Sequence, residues 1–161
     1  MPYVALQSML DGGAPRGFRQ YWKSGCLRTL DAGLLEQIVA SALHPTSPFA
    51  QIHLHQLGGA VAGPARADRA ISSLSEAAWV LNILGTWPEP TADAENIAWV
   101  RDLWALAEPH TVAAYTNFLG DEGADRVRSA FDDSAWRRLL ELKRHWDPDN
   151  VFRLNHNIAP A

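Results

Sequence analysis

Polar and apolar residues alternate most cleanly from Ala50 to Ala62, where AQIHLHQLGGAVA sends Ile52 and Leu54 to one side and His53 and His55 to the other. A period of two predicts a strand with one polar face. Gly17–Leu27 reads as another strand, since Phe18, Tyr21 and Trp22 suit a pleated surface. Ala77–Trp87 is apolar enough for a central strand and stops at Pro88 and Pro90, and Val112–Leu119 is a short strand closed by Gly120. Strands are therefore expected near 18–26, 50–62, 77–87 and 112–119. Helical spacing takes over elsewhere. Asp31 caps a helix over 31–43 with Leu34, Leu35, Ile38, Val39 and Ala42 on one face. A second runs over 93–107 through Ile97, Val100, Leu103, Trp104 and Ala107. A brief helix over 122–131 precedes a stronger one over 134–146, with Trp136, Leu139, Leu140 and Lys143 on one stripe. Asp147-Pro148-Asp149-Asn150 is turn chemistry, and Val151, Phe152, Leu154 and Ile158 are expected to anchor the tail to a surface. The opening segment, with Gly12-Gly13 and Pro15, reads as an extended lead-in and a turn. Strands outnumber what a βαβ series needs, so the expected class is α+β, an antiparallel sheet with helices packed on one face.

Composition narrows the function. At 161 residues the chain is one domain, without an internal repeat or dividing linker. A net charge of −4 argues against a phosphate-binding surface, so nucleic acid is not an expected partner. The sole cysteine, Cys26, cannot form an internal disulfide and reads as a small buried hydrophobe. No apolar run has the length of a membrane helix and no signal sequence is evident, so a soluble, cytoplasmic chain is expected. Seven tryptophans are many for this length, and aromatic side chains dominate cores and ligand-site walls.

Three clusters carry candidate chemistry. His53-x-His55 places two imidazoles on one strand face, a spacing open to a metal, but no third ligand lies nearby and no metal is expected. Tyr115-Thr116-Asn117 would point a phenol and an amide from one side of a strand, suited to a polar planar ring or a substrate hydroxyl. A tyrosine packed in the core with its hydroxyl satisfied is the plainer reading. Asn155-His156-Asn157 offers two amides that satisfy loop backbone or pair with the alternating donors and acceptors of a heterocycle edge.

The segment WRRLLELKRHWDPDNVFRLNHNIAP, residues 136–160, resembles the closing signature of the berberine bridge enzyme-like FAD-linked oxidoreductases. In that family a helix ending in Lys-x-x-aromatic-Asp-Pro-x-Asn-x-Phe leads into Asn-x-Asn-Ile. Upstream, Tyr21-Trp22-Lys23-Ser24, Gly58-Gly59-Ala60, the Trp99…Trp104…Pro109 helix and Tyr115-Thr116-Asn117-Phe118 agree in order.

The resemblance implies the second half of such an enzyme: a substrate-binding portion over 1–119 and a berberine-bridge-like C-terminal element over 120–161, with no counterpart of the flavin-binding domain. It implies an oxidase component acting on a small-molecule substrate, with FAD as hydride acceptor and dioxygen as final oxidant. Tyr115 would be the catalytic group on the substrate side, and Asn117, Asn155 and Asn157 would hold the cofactor. The alternative is a truncated substrate-domain module that folds and associates but binds no flavin. The position after Tyr-x-Asn, often Tyr or His in the family, is Phe118, which cannot exchange a proton. Where relatives often have a Phe-Pro-His-Arg-like run, this chain reads Ile71-Ser72-Ser73-Leu74. The chain alone is expected to retain FAD weakly or not at all, and to expose an apolar, aromatic face that meets a separate flavin-binding chain or a second copy.

Overall fold

A computed structural model describes residues 1–9, 11–13, 15–59, 61, 73–120 and 122–160. In chain order the elements are α1 (Tyr3–Gln7), β1 (Arg19–Leu27), α2 (Ala32–Ala42), β2 (Gln51–Gln56), β3 (Trp79–Trp87), α3 (Asp93–Ala107), β4 (Thr111–Ala113), α4 (Ala124–Arg128) and α5 (Asp133–Trp146). The four strands form one open antiparallel sheet in the order β2-β3-β1-β4, an α+β fold. Central β3 is buried from Val80 to Trp87, as its unbroken apolar run requires.

The two faces of the sheet are packed differently. Leu27 of β1 and Leu81 and Ile83 of β3 meet Leu34 and Ile38 of α2 and Val100, Leu103, Trp104 and Ala107 of α3 in the main core. Asp31 caps α2 by accepting from the Leu34 amide at 2.9 Å. On the opposite face Cys26, Val80, Ala77 and Ala113 form a smaller cluster, against which Tyr115 and Phe118 pack. Helices α2 and α3 therefore cover one face. α5 stands apart from that layer: it contributes no residue to either cluster, and none of its residues is buried.

Several boundaries differ from expectation. The lead-in is helical over Tyr3–Gln7, because Ala, Leu and Gln favour helix between Pro2 and Gly12, and the turn is exposed throughout. β2 ends at Gln56, short of the strand expected to Ala62; Ala60 and residues 62–72 lie outside the described residues, and with them the first two positions of the Ile71–Leu74 run. β4 spans only three residues, and the chain then makes a 3-10 turn over Thr116–Phe118 instead of continuing as a strand to 119. The cause is visible on β1. The Ser24 carbonyl, which a longer β4 would meet, accepts a hydrogen bond from the Arg126 guanidinium at 2.9 Å. On α3, Asn96 is buried in addition to the apolar stripe; its amide donates to the Ala92 carbonyl at 2.8 Å and accepts from the Thr46 hydroxyl at 2.9 Å.

Gly25 on β1 faces α3 at close range. A methyl group there would lie 2.5 Å from Thr111 Cγ2 and 2.8 Å from Trp104 Cη2. Gly25→Ala is expected to destabilise the chain by about 1–3 kcal/mol through overpacking, read as a lower urea midpoint with an unchanged m-value. An unchanged midpoint would show that Trp104 has room to retreat.

Candidate functional site

Tyr115 leaves β4 in an extended conformation, and the 3-10 turn that follows folds Asn117 back beside it. The Asn117 amide donates to the Tyr115 hydroxyl at 2.8 Å. The two side chains are neighbours, as expected, but through a turn and not through strand alternation. The Tyr115 ring is half-buried and stands edge-on to Phe118 at 5.1 Å, and Phe118 lies 5.9 Å from the His55 ring. With its hydroxyl accepting from Asn117, the O–H of Tyr115 remains available to donate outward.

Below this pair lies a cavity of about 1240 Å³, walled by the 3-10 turn, α4, the first half of α5 and the tail. Asn117, Asn155 and Asn157 all line it, with Trp136 and Leu140 supplying the apolar wall. Tyr115 is not part of the lining and reaches the site through Asn117. Asn155 sits at φ 58°, a left-handed conformation that asparagine tolerates, and its carbonyl accepts from the Asn157 amide N–H at 3.0 Å. That tight turn presents both side chains to the cavity. The Oδ1 of Asn157 is buried without a hydrogen-bond partner among the described residues.

Sequence reasoning missed the charged network behind this wall. Glu122 accepts from Lys23 at 2.7 Å and lies 3.9 Å from Arg126. Arg126 stacks over the Trp104 ring at 5.1 Å while bonding the Ser24 carbonyl. The i,i+4 spacing of Glu122 and Arg126 was the one legible signal; the partners on β1 and α3 are long-range. Nearby, Arg128 pairs with Asp133, stacks over Trp136 at 5.2 Å and bonds the Phe131 carbonyl at 2.6 Å.

The tail is set by a different device. The Asp147 carboxylate accepts from Lys143, from the Val151 amide at 2.7 Å and from the Phe152 amide at 3.1 Å. Lys143 also bonds the Phe152 carbonyl at 2.7 Å. Asn150 closes the turn at φ 52°. Because hydrogen bonds hold this segment, its apolar side chains are not needed as anchors. Val151, Phe152 and Leu154, expected to be packed down, are exposed.

The histidine pair lies at the surface of β2, with His53 half-buried and His55 exposed. The His53 and His55 rings stand edge to face at 5.6 Å, and His53 Nε2 contacts Gln51 Oε1 at 2.9 Å. Burial, and next the neighbouring His55, lower the His53 pKa. Among the described residues no three His, Cys, Asp or Glu side chains form a group able to hold a metal. Cys26 is fully buried and its thiol is pushed up to about 11, chiefly by burial. Among the described residues no helix is long and apolar enough to cross a membrane.

The α+β fold of this chain is shared with known proteins. Residues 114–159 match the family described as Berberine and berberine like. An FAD-linked oxidoreductase of Dictyostelium discoideum is 26% identical over 99% of this chain and 35% of its own length. The crystal structure of CrmK, a flavoenzyme involved in shunt product recycling in caerulomycin biosynthesis, superposes on all of this chain and 37% of its own with a TM-score of 0.78 and 26% identity. A berberine bridge enzyme-like protein of Arabidopsis thaliana shares the fold over 90% of this chain and 34% of its own, with a TM-score of 0.75 at 16% identity. The chain is similar to the C-terminal part of berberine bridge enzyme-like FAD-linked oxidoreductases. It spans about a third of the length of these relatives.

The Asp147 network has a pH signature. The Lys143 ammonium, and then the Val151 and Phe152 amides, hold the Asp147 carboxyl below the usual carboxylate range against the opposing effect of burial. A carboxyl with a depressed folded value adds stability above its unfolded value, near about 4, and that stability is lost as pH falls through the folded value. Asp147→Asn is therefore expected to lower the melting temperature at pH 7 and to flatten its decline between roughly pH 5 and pH 2, followed by circular dichroism. Parallel curves for the two proteins would show that the carboxylate does not hold the turn.

Proposed function

We propose that this chain forms the substrate-binding and C-terminal portion of an FAD-dependent oxidase that removes hydride from a small-molecule substrate. The observation that carries the reading is the meeting of Asn117, Asn155 and Asn157 on one cavity although about 40 residues separate the turn from the tail. Core-filling or loop-capping amides have no reason to share a concave wall. The donor set fits a flavin: its pyrimidine edge alternates acceptors with one N–H, and amides offer both groups, including the unpartnered Asn157 Oδ1. When bound, FAD would supply the two-electron acceptor, and this chain the orientation and electrostatics.

Each side chain then has a role. Asn155 and Asn157 hold the ring edge from the tail. Asn117 bridges the cavity to Tyr115, keeping one lone pair of the phenol occupied so that its O–H points toward a substrate. Tyr115 donates its O–H to an oxygen or nitrogen of the substrate and so orients it. Trp136 and Leu140 exclude water on the apolar side. Phe118 does not move protons; it fixes the Tyr115 ring edge-on.

One observation favours the alternative, a non-catalytic module that associates without flavin. The Tyr115 ring packs on the second core cluster and its hydroxyl already has an internal partner. Kinetics separate the two. In an assembly reconstituted with a flavin-binding polypeptide, Tyr115→Phe is expected to slow substrate oxidation by about 10²-fold with little change in flavin affinity. Asn157→Ala is expected to weaken flavin binding on the order of tenfold with a smaller effect on turnover. Equal, small effects of both would favour the non-catalytic module. The chain by itself is expected to purify colourless, because no glycine-rich phosphate-cradling motif occurs in its sequence. Flavin absorbance retained through gel filtration, without any second polypeptide, would contradict that.

A further inference from the structure

On β2 the side chains of Gln51, His53 and His55 point away from α2 and α3, since Ile52 and Leu54 between them pack on the main core. Tyr115 packs on the same far face. Ring contacts connect it to His53: His53 to His55 at 5.6 Å, His55 to Phe118 at 5.9 Å and Phe118 to Tyr115 at 5.1 Å. Two hydrogen bonds in series orient the His53 imidazole. Gln51 Nε2 donates to the Gly13 carbonyl at 2.7 Å, and a carbonyl only accepts, so Gln51 turns its Oε1 to His53. That oxygen lies 2.9 Å from His53 Nε2 and likewise only accepts, so Nε2 carries the proton. Nδ1 keeps the basic lone pair, and no hydrogen bond to a described residue occupies it. Position 13 permits the approach because it has no side chain; a methyl group there would come within 2.8 Å of Gln51 Nε2. Directly across on β3, Asn82 is buried with its Oδ1 unpartnered. Two acceptors without donors thus stand on neighbouring strands, which fits a ligand that brings hydrogen-bond donors.

We propose that His53 is the base that takes the substrate's proton, on an Nδ1 lone pair selected by Gln51 and the Gly13 carbonyl. The inference rests on the functional reading above and supplies the proton acceptor that reading needs, since Tyr115 donates its O–H. The substrate class is an alcohol or amine with a hydrogen on the carbon that bears the heteroatom. That hydrogen leaves with both electrons of its C–H bond to FAD, the O–H or N–H proton goes to Nδ1, and a C=O or C=N bond remains. Burial, and next the neighbouring His55, keep the ring neutral and able to accept at pH 7. His55 is the titratable neighbour, on the same strand; across on β3 the ring faces Asn82, with Val80 and Leu84 to either side, all uncharged. The Gly13 turn offers a carbonyl and the Thr116–Phe118 turn a phenyl ring. Gln51 acts through His53 and is a positioning residue.

Nitrogen NMR of the full chain with labelled histidine reads the tautomer without any flavin. The expected result is a His53 protonated at Nε2 with a bare Nδ1, titrating below the usual histidine value of about 6.5, and a mixture of tautomers in Gln51→Leu. In an assembly reconstituted with a flavin-binding polypeptide, kcat/KM should fall on an acidic limb as His53 is protonated. His53→Gln should slow oxidation about 10²-fold and remove that limb, and added imidazole should restore part of the rate to His53→Ala. Gln51→Glu should move the limb up by about one pH unit, because a carboxylate favours the imidazolium. Circular dichroism confirms folding, and Gln51→Glu, which leaves His53 in place, decides the matter should the His53 variants misfold. A His53 protonated at Nδ1, a tautomer that Gln51→Leu leaves unchanged, or an acidic limb unmoved by Gln51→Glu overturns the proposal. If His53→Gln oxidises normally while Tyr115→Phe still impairs oxidation, the base assignment falls and the functional reading stands. If neither variant slows oxidation, both fall.

Discussion

Helix α3 lies as close to the sheet as it does because two strand positions carry no side chain. At Gly25 a methyl group would collide with Trp104 and Thr111, and at Gly85 it would come within 2.9 Å of Val100 Cγ2. That close seating lets Val100, Leu103, Trp104 and Ala107 pack directly onto Leu27, Leu81 and Ile83. It also fixes the depth of the Trp104 ring, and the ring in turn is the platform on which Arg126 stacks. The position of α4, and with it one wall of the amide-lined cavity, therefore follows from how deeply a helix on the other side of β1 can settle.

Arg126 converts that depth into the shape of the site. Its guanidinium takes the Ser24 carbonyl, so β4 stops and the chain turns at Thr116–Phe118. Had the strand continued, Tyr115 and Asn117 would have been spread along an extended backbone, and their hydrogen bond would not form across a pleat. Lys23 and Glu122 complete the arrangement, tying α4 to the same strand by a largely buried pair. Breaking such a pair by removing one charge costs more than the pair itself contributes, since the other charge stays buried.

The parts that could be read along the chain were those governed by local chemistry. The Asp31 cap, the α3 stripe and the proline stops lie within a few residues of what they determine, and so does the Asp147-Pro148-Asp149-Asn150 turn that carried the family resemblance. The end of β4 could not be read, because it is decided by Arg126 acting on Ser24 from 102 residues away. The tail failed for a related reason. Val151, Phe152 and Leu154 look like anchors by hydrophobicity, but the backbone around them is already fastened by one carboxylate. Spacing alone offered Asn117 beside Tyr115 and Asn155 beside Asn157, and only the resemblance tied the three amides to one cofactor; the folded chain brings Asn117 to the cavity shared by Asn155 and Asn157.

Cys26 sits where β1 is flanked by β3 and β4, paired across to Val80 on one side and Ala113 on the other. It is the chain's only thiol, it has no solvent exposure, and burial suppresses its ionisation. An alkylating reagent reacts with the thiolate, so labelling waits until these strands separate. The fold thereby carries its own single-site clock: the rate at which Cys26 is modified under native conditions counts openings of the central sheet. Fraying of α1 or of the exposed tail leaves that rate untouched.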